Sequence, residues 1–164
     1  MKKVIASLLM IPALVFSLVA CAPAEQGKVE VTEAWVKASE YSDHVGGMTG
    51  VFMKITNNTD ETVTLVGGTS SFAPMIQTHQ VIDGVMSEKP EGIEIKPGET
   101  VSLEPGGLHV MLMNLTEAIL AGSKVDLKLK FSNNDEIDLG MLLAKTVPAG
   151  EETYSPMPMP SPTN

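Results

Sequence analysis

The stretch Lys124-Val125-Asp126-Leu127-Lys128-Leu129-Lys130-Phe131 alternates charged and apolar residues without a break. Successive side chains of an extended chain point to opposite faces, so a period of two rather than 3.6 marks a strand with one wet and one buried face. Glu61-Thr62-Val63-Thr64-Leu65, Thr100-Val101-Ser102-Leu103 and Val29-Glu30-Val31 repeat the pattern on a shorter scale. Turn chemistry separates them at Asn57-Asn58-Thr59-Asp60, Asp83-Gly84, Pro97-Gly98, Pro105-Gly106-Gly107 and Asn133-Asn134-Asp135. Only Thr116 to Ala121 hints at a helical turn. Many short strands with almost no helix predict an antiparallel β-sandwich of seven to nine strands.

Composition limits what such a sandwich can do. The chain has 164 residues, enough for one ordinary core, with 11 Lys+Arg against 20 Asp+Glu and a net charge of −9. Nucleic acids and anionic membrane surfaces demand clustered basic charge, which this chain lacks, so neither is an expected partner. A single cysteine makes no internal disulfide, Cys-rich zinc site or dithiol centre.

The first 20 residues stand apart from the fold. Lys2 and Lys3 precede an apolar run from Val4 to Val19, and no acid occurs before Glu25, the layout of an export signal too short to span a membrane comfortably. Leu18-Val19-Ala20-Cys21 resembles the lipobox of bacterial lipoproteins, which implies cleavage before Cys21 and lipidation of its sulfur. Loss of residues 1–20 removes two lysines and no acids, taking the net charge from −9 to −11. Lipid rather than charge then has to hold the protein to its membrane. Residues 21–28 read as a tether, 29–146 as the folded domain, and 147–164, with five prolines, as a flexible tail.

The chemistry-bearing segment is Leu108-His109-Val110-Met111-Leu112-Met113. On a strand, His109, Met111 and Met113 share one face and Leu108, Val110 and Leu112 the other. Thioethers select Cu(I), and neutral imidazole suits copper, so a His/Met mixture without thiolate or carboxylate favours Cu(I) over Zn²⁺, Ca²⁺ or Mg²⁺. Two ligands do not complete a site. Upstream lie Met75, His79 and Met86, and the Asp83-Gly84 turn can fold that segment back to bring His79 and Met86 together.

These residues resemble the periplasmic copper chaperone (PCuAC) family, whose motif is His or Met, ten residues, Met, twenty-one residues, His, one residue, Met. Here ten residues separate Met75 from Met86 and twenty-two separate Met86 from His109, with His109-Val110-Met111 closing the pattern. Ala34-Trp35-Val36, Ile55-Thr56-Asn57 and Pro105 to Met113 also look like the family's framing segments. The resemblance implies a Greek-key, cupredoxin-like sandwich and a Cu(I) set of His79, Met86, His109 and Met111 at an exposed sandwich edge. Met75 is the alternative first ligand, since it satisfies the ten-residue count. Such a set contains no thiolate, so the likeness to cupredoxins does not carry over their electron-transfer role.

The remaining methionines and histidine carry separate expectations. His44 and Met48 in a Gly-rich loop, and Met157 and Met159 in the tail, are candidate auxiliary copper contacts. Met53, Met113 and Met141 are expected to fill the core, as isolated methionines commonly do, and Trp35 to pack in the sandwich. No nucleophile with a base beside it is suggested, which points to a non-enzyme. The family resemblance implies a monomeric, exported Cu(I) carrier. It would be lipid-anchored on the outer side of the cytoplasmic membrane or periplasmic, delivering copper to cytochrome c oxidase or its copper-assembly factors. A copper-sequestering resistance protein and a metal-free interaction or adhesion sandwich are the competing readings.

Overall fold

The computed structural model describes residues 27–39, 47–147 and 155–156. The export signal, Cys21, His44, Met157 and Met159 lie outside the described residues. Among those described there is no helix, and the elements are β1 (Val29–Lys37), β2 (Met48–Asn57), β3 (Val63–Thr69), β4 (Met75–Ile82), β5 (Val85–Glu88), β6 (Ile93–Ile95), β7 (Thr100–Leu103), β8 (His109–Met113), β9 (Lys124–Phe131), β10 (Glu136–Lys145) and β11 (Ser155–Pro156). The strand count exceeds the seven to nine expected, because short β5, β6 and β11 escape a periodicity reading.

One layer runs β5-β4-β8-β2-β1 and the other β10-β9-β3-β6. Pairing is antiparallel except where β1 meets β10 at Val36 and Lys37, and where β11 lies along β5. Strand β2 carries β8 along Met48–Val51 and β7 along Met53–Thr56, so β7 and β8 lie end to end with the Pro105-Gly106-Gly107 turn between them. The architecture is the cupredoxin-like sandwich that the resemblance implied.

The alternation in β9 is used as read: Val125, Leu127, Leu129 and Phe131 are all buried and meet Val51, Met53, Ile55, Val110 and Leu112 in one core cluster. Burying each such side chain is worth about 1.5–3 kcal/mol. His109, Met111, Met86 and Phe52 are also buried but lie outside that cluster, on the opposite face of the β4-β8-β2 layer.

Three local expectations fail. Thr116 to Ala121 forms no helical turn. Asn114 turns the chain at φ 57°, the Thr116 amide donates to the Phe72 carbonyl, and Ile119 bridges back to Ser39, so tertiary bonds take the groups a helix would use. Met141 is 57% exposed on β10, whose register shifts between Asp138 and Met141. Met113 is only partly buried, because it continues the outer face of β8 rather than the core face of Val110 and Leu112.

Asn57 ends β2 fully buried, with every side-chain hydrogen-bonding group used. Its amide donates to the carbonyls of Glu61 (2.7 Å) and Ile95 (2.9 Å), and its oxygen accepts from the Thr59 amide (3.0 Å) and hydroxyl (2.7 Å). Asn57→Ala strands buried partners, so it should cost about 3 kcal/mol in urea unfolding. A loss under about 0.5 kcal/mol would show that water replaces the amide.

Candidate metal centre

The site is built on a register. Strands β4 and β8 pair antiparallel with His79 opposite His109, Gln77 opposite Met111 and Met75 opposite Met113. Asp83 and Gly84 both have positive φ, 52° and 77°, the backbone of a two-residue hairpin turn, and it folds β5 back so that Met86 pairs with Val81. His79, Met86, His109 and Met111 consequently share one face of the sheet. They are 7%, 6%, 1% and 2% exposed, so the expected open edge is instead an enclosed cluster.

Part of that enclosure comes from β1 and β2. The β1–β2 register shifts between Thr32 and Trp35, where Glu33 takes φ 56°; this bulge turns Trp35 out of the core and opposite Phe52. The two rings lie 4.7 Å apart, and Phe52 lies 6.1 Å from the His109 ring. Gly50 makes this possible, since a Cβ there would stand 2.8 Å from the Phe52 ring. The Lys145 ammonium sits 5.6 Å from the Trp35 ring centroid, an attractive cation–π arrangement. Trp35 thus packs beside the candidate centre rather than inside the sandwich.

The imidazoles are held in defined tautomers. His109 Nδ1 donates to the Gly107 carbonyl (3.0 Å), which leaves the Nε2 lone pair directed at Met86 Sδ, 3.3 Å away. Hydrogen bonding at one ring nitrogen to orient the other is the usual support for a ligating histidine. His79 Nε2 donates to Gln77 Oε1 (3.1 Å), and its Nδ1 is buried without a hydrogen-bond partner. The rings of His79 and His109 are 5.8 Å apart.

Both histidines are neutral at physiological pH. Burial, and secondarily repulsion from His109, pushes the His79 pKa down from 6.5 to about 4. Burial also lowers that of His109, against an opposing contribution from the Gly107 carbonyl. Two neutral imidazoles and two uncharged thioethers therefore share one buried face of the sheet, with His109 Nε2 and Met86 Sδ in contact. Among the described residues no three His, Cys, Asp or Glu side chains come together to hold a metal ion.

Met75 does not join this cluster. It lies four residues from His79 along β4, about 13 Å at the strand rise, and is 46% exposed. Met48 lies at the start of β2, opposite Met113. Gln77, Phe52, Gly50 and the Gly107 carbonyl went unread in the sequence. The period-two rule that groups Met75 with His79 also puts Gln77 on that face, and this was the available signal.

A family model described as "Putative lipoprotein LpqE-like" matches residues 29–141. The chain belongs to this LpqE-like family. A relative named "Putative lipoprotein Lxx21020", from Leifsonia xyli subsp. xyli, is 38% identical over 109 residues, which span 64% of this chain and 63% of that protein. The LpqE-like domain is also similar to two solved structures. The copper-bound PCuAC domain from PmoF2 matches with TM-score 0.62 at 20% identity, over 76% of this chain and 97% of that one. The solution structure of CuI-DR1885 from Deinococcus radiodurans matches with TM-score 0.54 at 24% identity, over 71% and 78%. At these identities the likeness establishes the shared fold.

The buried His79 has a consequence for stability in the absence of metal. The unfolded chain takes up a proton near pH 6.5, whereas the folded chain resists until about pH 4. Stability should therefore fall as pH drops from 6.5 towards 4, and His79→Gln should flatten that part of a Tm-against-pH curve. Parallel curves for the two proteins would show that His79 titrates normally in the fold.

Proposed function

We propose that the chain is an exported, lipid-anchored copper carrier that binds one Cu(I) through His79, Met86, His109 and Met111. In this reading it passes the ion to cytochrome c oxidase or to a copper-assembly factor of that enzyme. The observation that carries the reading is the orphaned Nδ1 of His79, buried on the same face as His109 Nε2 and Met86 Sδ. A buried acceptor without a partner costs about 1–3 kcal/mol, and a cation accepting its lone pair recovers that cost. That one fold relative is a copper-bound PCuAC domain and another is CuI-DR1885 supports the same reading.

Thioether and imidazole also suit a carrier. A monovalent soft ion is held by neutral donors that an acceptor's ligands can replace one at a time, where thiolate would bind it harder. Sequestration of copper remains the second reading, favoured by the burial of all four donors, which slows release. The non-enzyme reading rests on the lack of a nucleophile–base motif in the sequence.

Trp35, the sole tryptophan, is linked to His109 through Phe52 and so reports on the site. Cu(I) titration should change its fluorescence to saturation at one tight equivalent. His79→Ala and His109→Ala should each weaken that phase at least about tenfold, a loss of about 1.4 kcal/mol or more, while Met75→Leu leaves it unchanged. Retention of full affinity in both histidine variants would refute the assignment. Transfer to an apo oxidase copper domain, faster than spontaneous release, would separate delivery from sequestration.

The anchor makes a separate prediction. Wild-type protein should sediment with membranes, and Cys21→Ala should be soluble or retain its signal, since an acidic domain has no electrostatic affinity for anionic lipid. Unchanged processing and membrane association of Cys21→Ala would disprove lipidation.

A further inference from the structure

The register that assembles the histidine cluster also aligns three methionines farther along the same sheet. Met113 stands directly opposite Met75 on β4 and directly opposite Met48 on β2. Each belongs to the outer face: Met75 shares parity with Gln77 and His79, Met113 with Met111 and His109, and Met48 with Gly50 and Phe52. The core-facing residues between them, Ile76 and Leu112, pack in the main cluster. With neighbouring strands about 4.8 Å apart, the three Cα atoms form a row roughly 10 Å long with Met113 at its centre. The unbranched methionine side chain has three rotatable bonds, so the outer two sulfurs can swing over the central one.

Exposure distinguishes this row from the histidine cluster. Met75 is 46% exposed, and Met48 and Met113 are partly buried. Core packing does not account for three thioethers opposite one another on three adjacent strands, none of them fully buried. Thioether sulfur is a poor ligand for Zn²⁺, Ca²⁺ and Mg²⁺ and a good one for Cu(I) and other soft d¹⁰ cations.

We propose that Met48, Met75 and Met113 form a second, solvent-open site for a soft monovalent cation, distinct from the His79/His109 centre. Met111 lies between the two sites in the outer-face ladder, one pleat repeat, about 7 Å, from Met113 and the same from His109. The row is therefore placed as an entry point. A Cu(I) ion held there exchanges one thioether for the next, from Met113 to Met111 and then to the buried imidazoles. Each step breaks one Cu–S bond as another bond to copper forms. The ion stays Cu(I), and no proton moves, because thioethers carry none. The entry role rests on the copper reading above, whereas the site itself does not.

The test uses the full chain carrying ¹³C-methyl methionine, titrated with Ag(I) as a redox-inert stand-in and then with Cu(I). The methyl signals of Met48, Met75 and Met113 should shift together and saturate at an equivalent separate from the one that shifts Met86, Met111 and the imidazoles. Met157 and Met159 are read individually in the same spectra. The volume-conserving triple variant Met48→Leu, Met75→Leu, Met113→Leu should lose the second equivalent and keep the first. Slower filling of the histidine centre in that variant would support the entry role, and unchanged filling would overturn it. If the three methyl signals stay still while Met86 and Met111 shift, the second site is refuted and the carrier reading stands. If the three shift while the imidazoles do not, the carrier site fails and the thioether site stands.

Discussion

Everything on the outer face depends on the antiparallel register between β4 and β8. A slip of one residue would send His79 into the sandwich and Ile76 out of it, because the side-chain period of a strand is two. The core holds the pairing. Ile76 and Leu112 pack in the same cluster and Val110 is buried with them. On its other edge β4 is fixed to β5, where Thr78, buried on the core side, donates its hydroxyl to the Lys89 carbonyl at 2.7 Å and the Asp83-Gly84 turn closes a tight hairpin. The hydrophobic effect on one face thereby sets the geometry of polar groups on the other. Slippage would expose apolar area as well as bury His79 against the core, so register and site are protected by the same energy.

The outer face is itself closed by non-polar residues, and this changes its chemistry. Phe52, leaning over Gly50, stands beside His109, and Trp35, turned outward by the Glu33 bulge, packs on Phe52; burial on this face keeps both histidines neutral. An open edge would have left both imidazoles near their ordinary pKa, protonated for part of the time in mildly acid surroundings. Burial leaves His79 Nδ1 without a partner, a cost that the separate main core is large enough to offset. Hydrogen bonds donated by the rings to Gln77 Oε1 and the Gly107 carbonyl settle which nitrogen of each ring keeps its lone pair.

What could be read from the sequence followed from alternation and from turns. Lys124 to Phe131 and Thr100 to Leu103 are strands with the expected boundaries, and Asp83-Gly84 is the hairpin that brings Met86 towards His79. The residues that sequence reasoning missed act through local departures from regularity. A bulge at Glu33 inverts the facing of Trp35, and nothing in Thr32 to Trp35 marks the extra residue. Gly50 has an ordinary strand neighbourhood in sequence, and its need for a missing Cβ is visible only once Phe52 leans across it. Thr116 to Ala121 has some helical periodicity, but its backbone bonds go to Phe72 and Ser39, which are distant in sequence. Met141 and Met113 show the limit of assigning methionine to cores by habit, since a flexible thioether is tolerated on either face of a sheet.

On the proposed reading, charge and softness do separate jobs. The donors of the candidate centre are neutral, so the local set contributes no charge-based preference for a divalent over a monovalent ion. The chain as a whole carries −9, and a negative surface raises the local concentration of any cation over roughly a Debye length of 8–10 Å. That field attracts Mg²⁺ and Ca²⁺ more strongly than Cu(I), and selection must therefore occur at the donors, where thioether and neutral imidazole give hard ions little in exchange for their water. Burial sharpens the discrimination: entering a dry site costs a divalent ion far more hydration energy than a monovalent one, and uncharged ligands do not return it. A dry, neutral, sulfur-containing site on an acidic protein thus favours a soft monovalent ion without needing a cysteine.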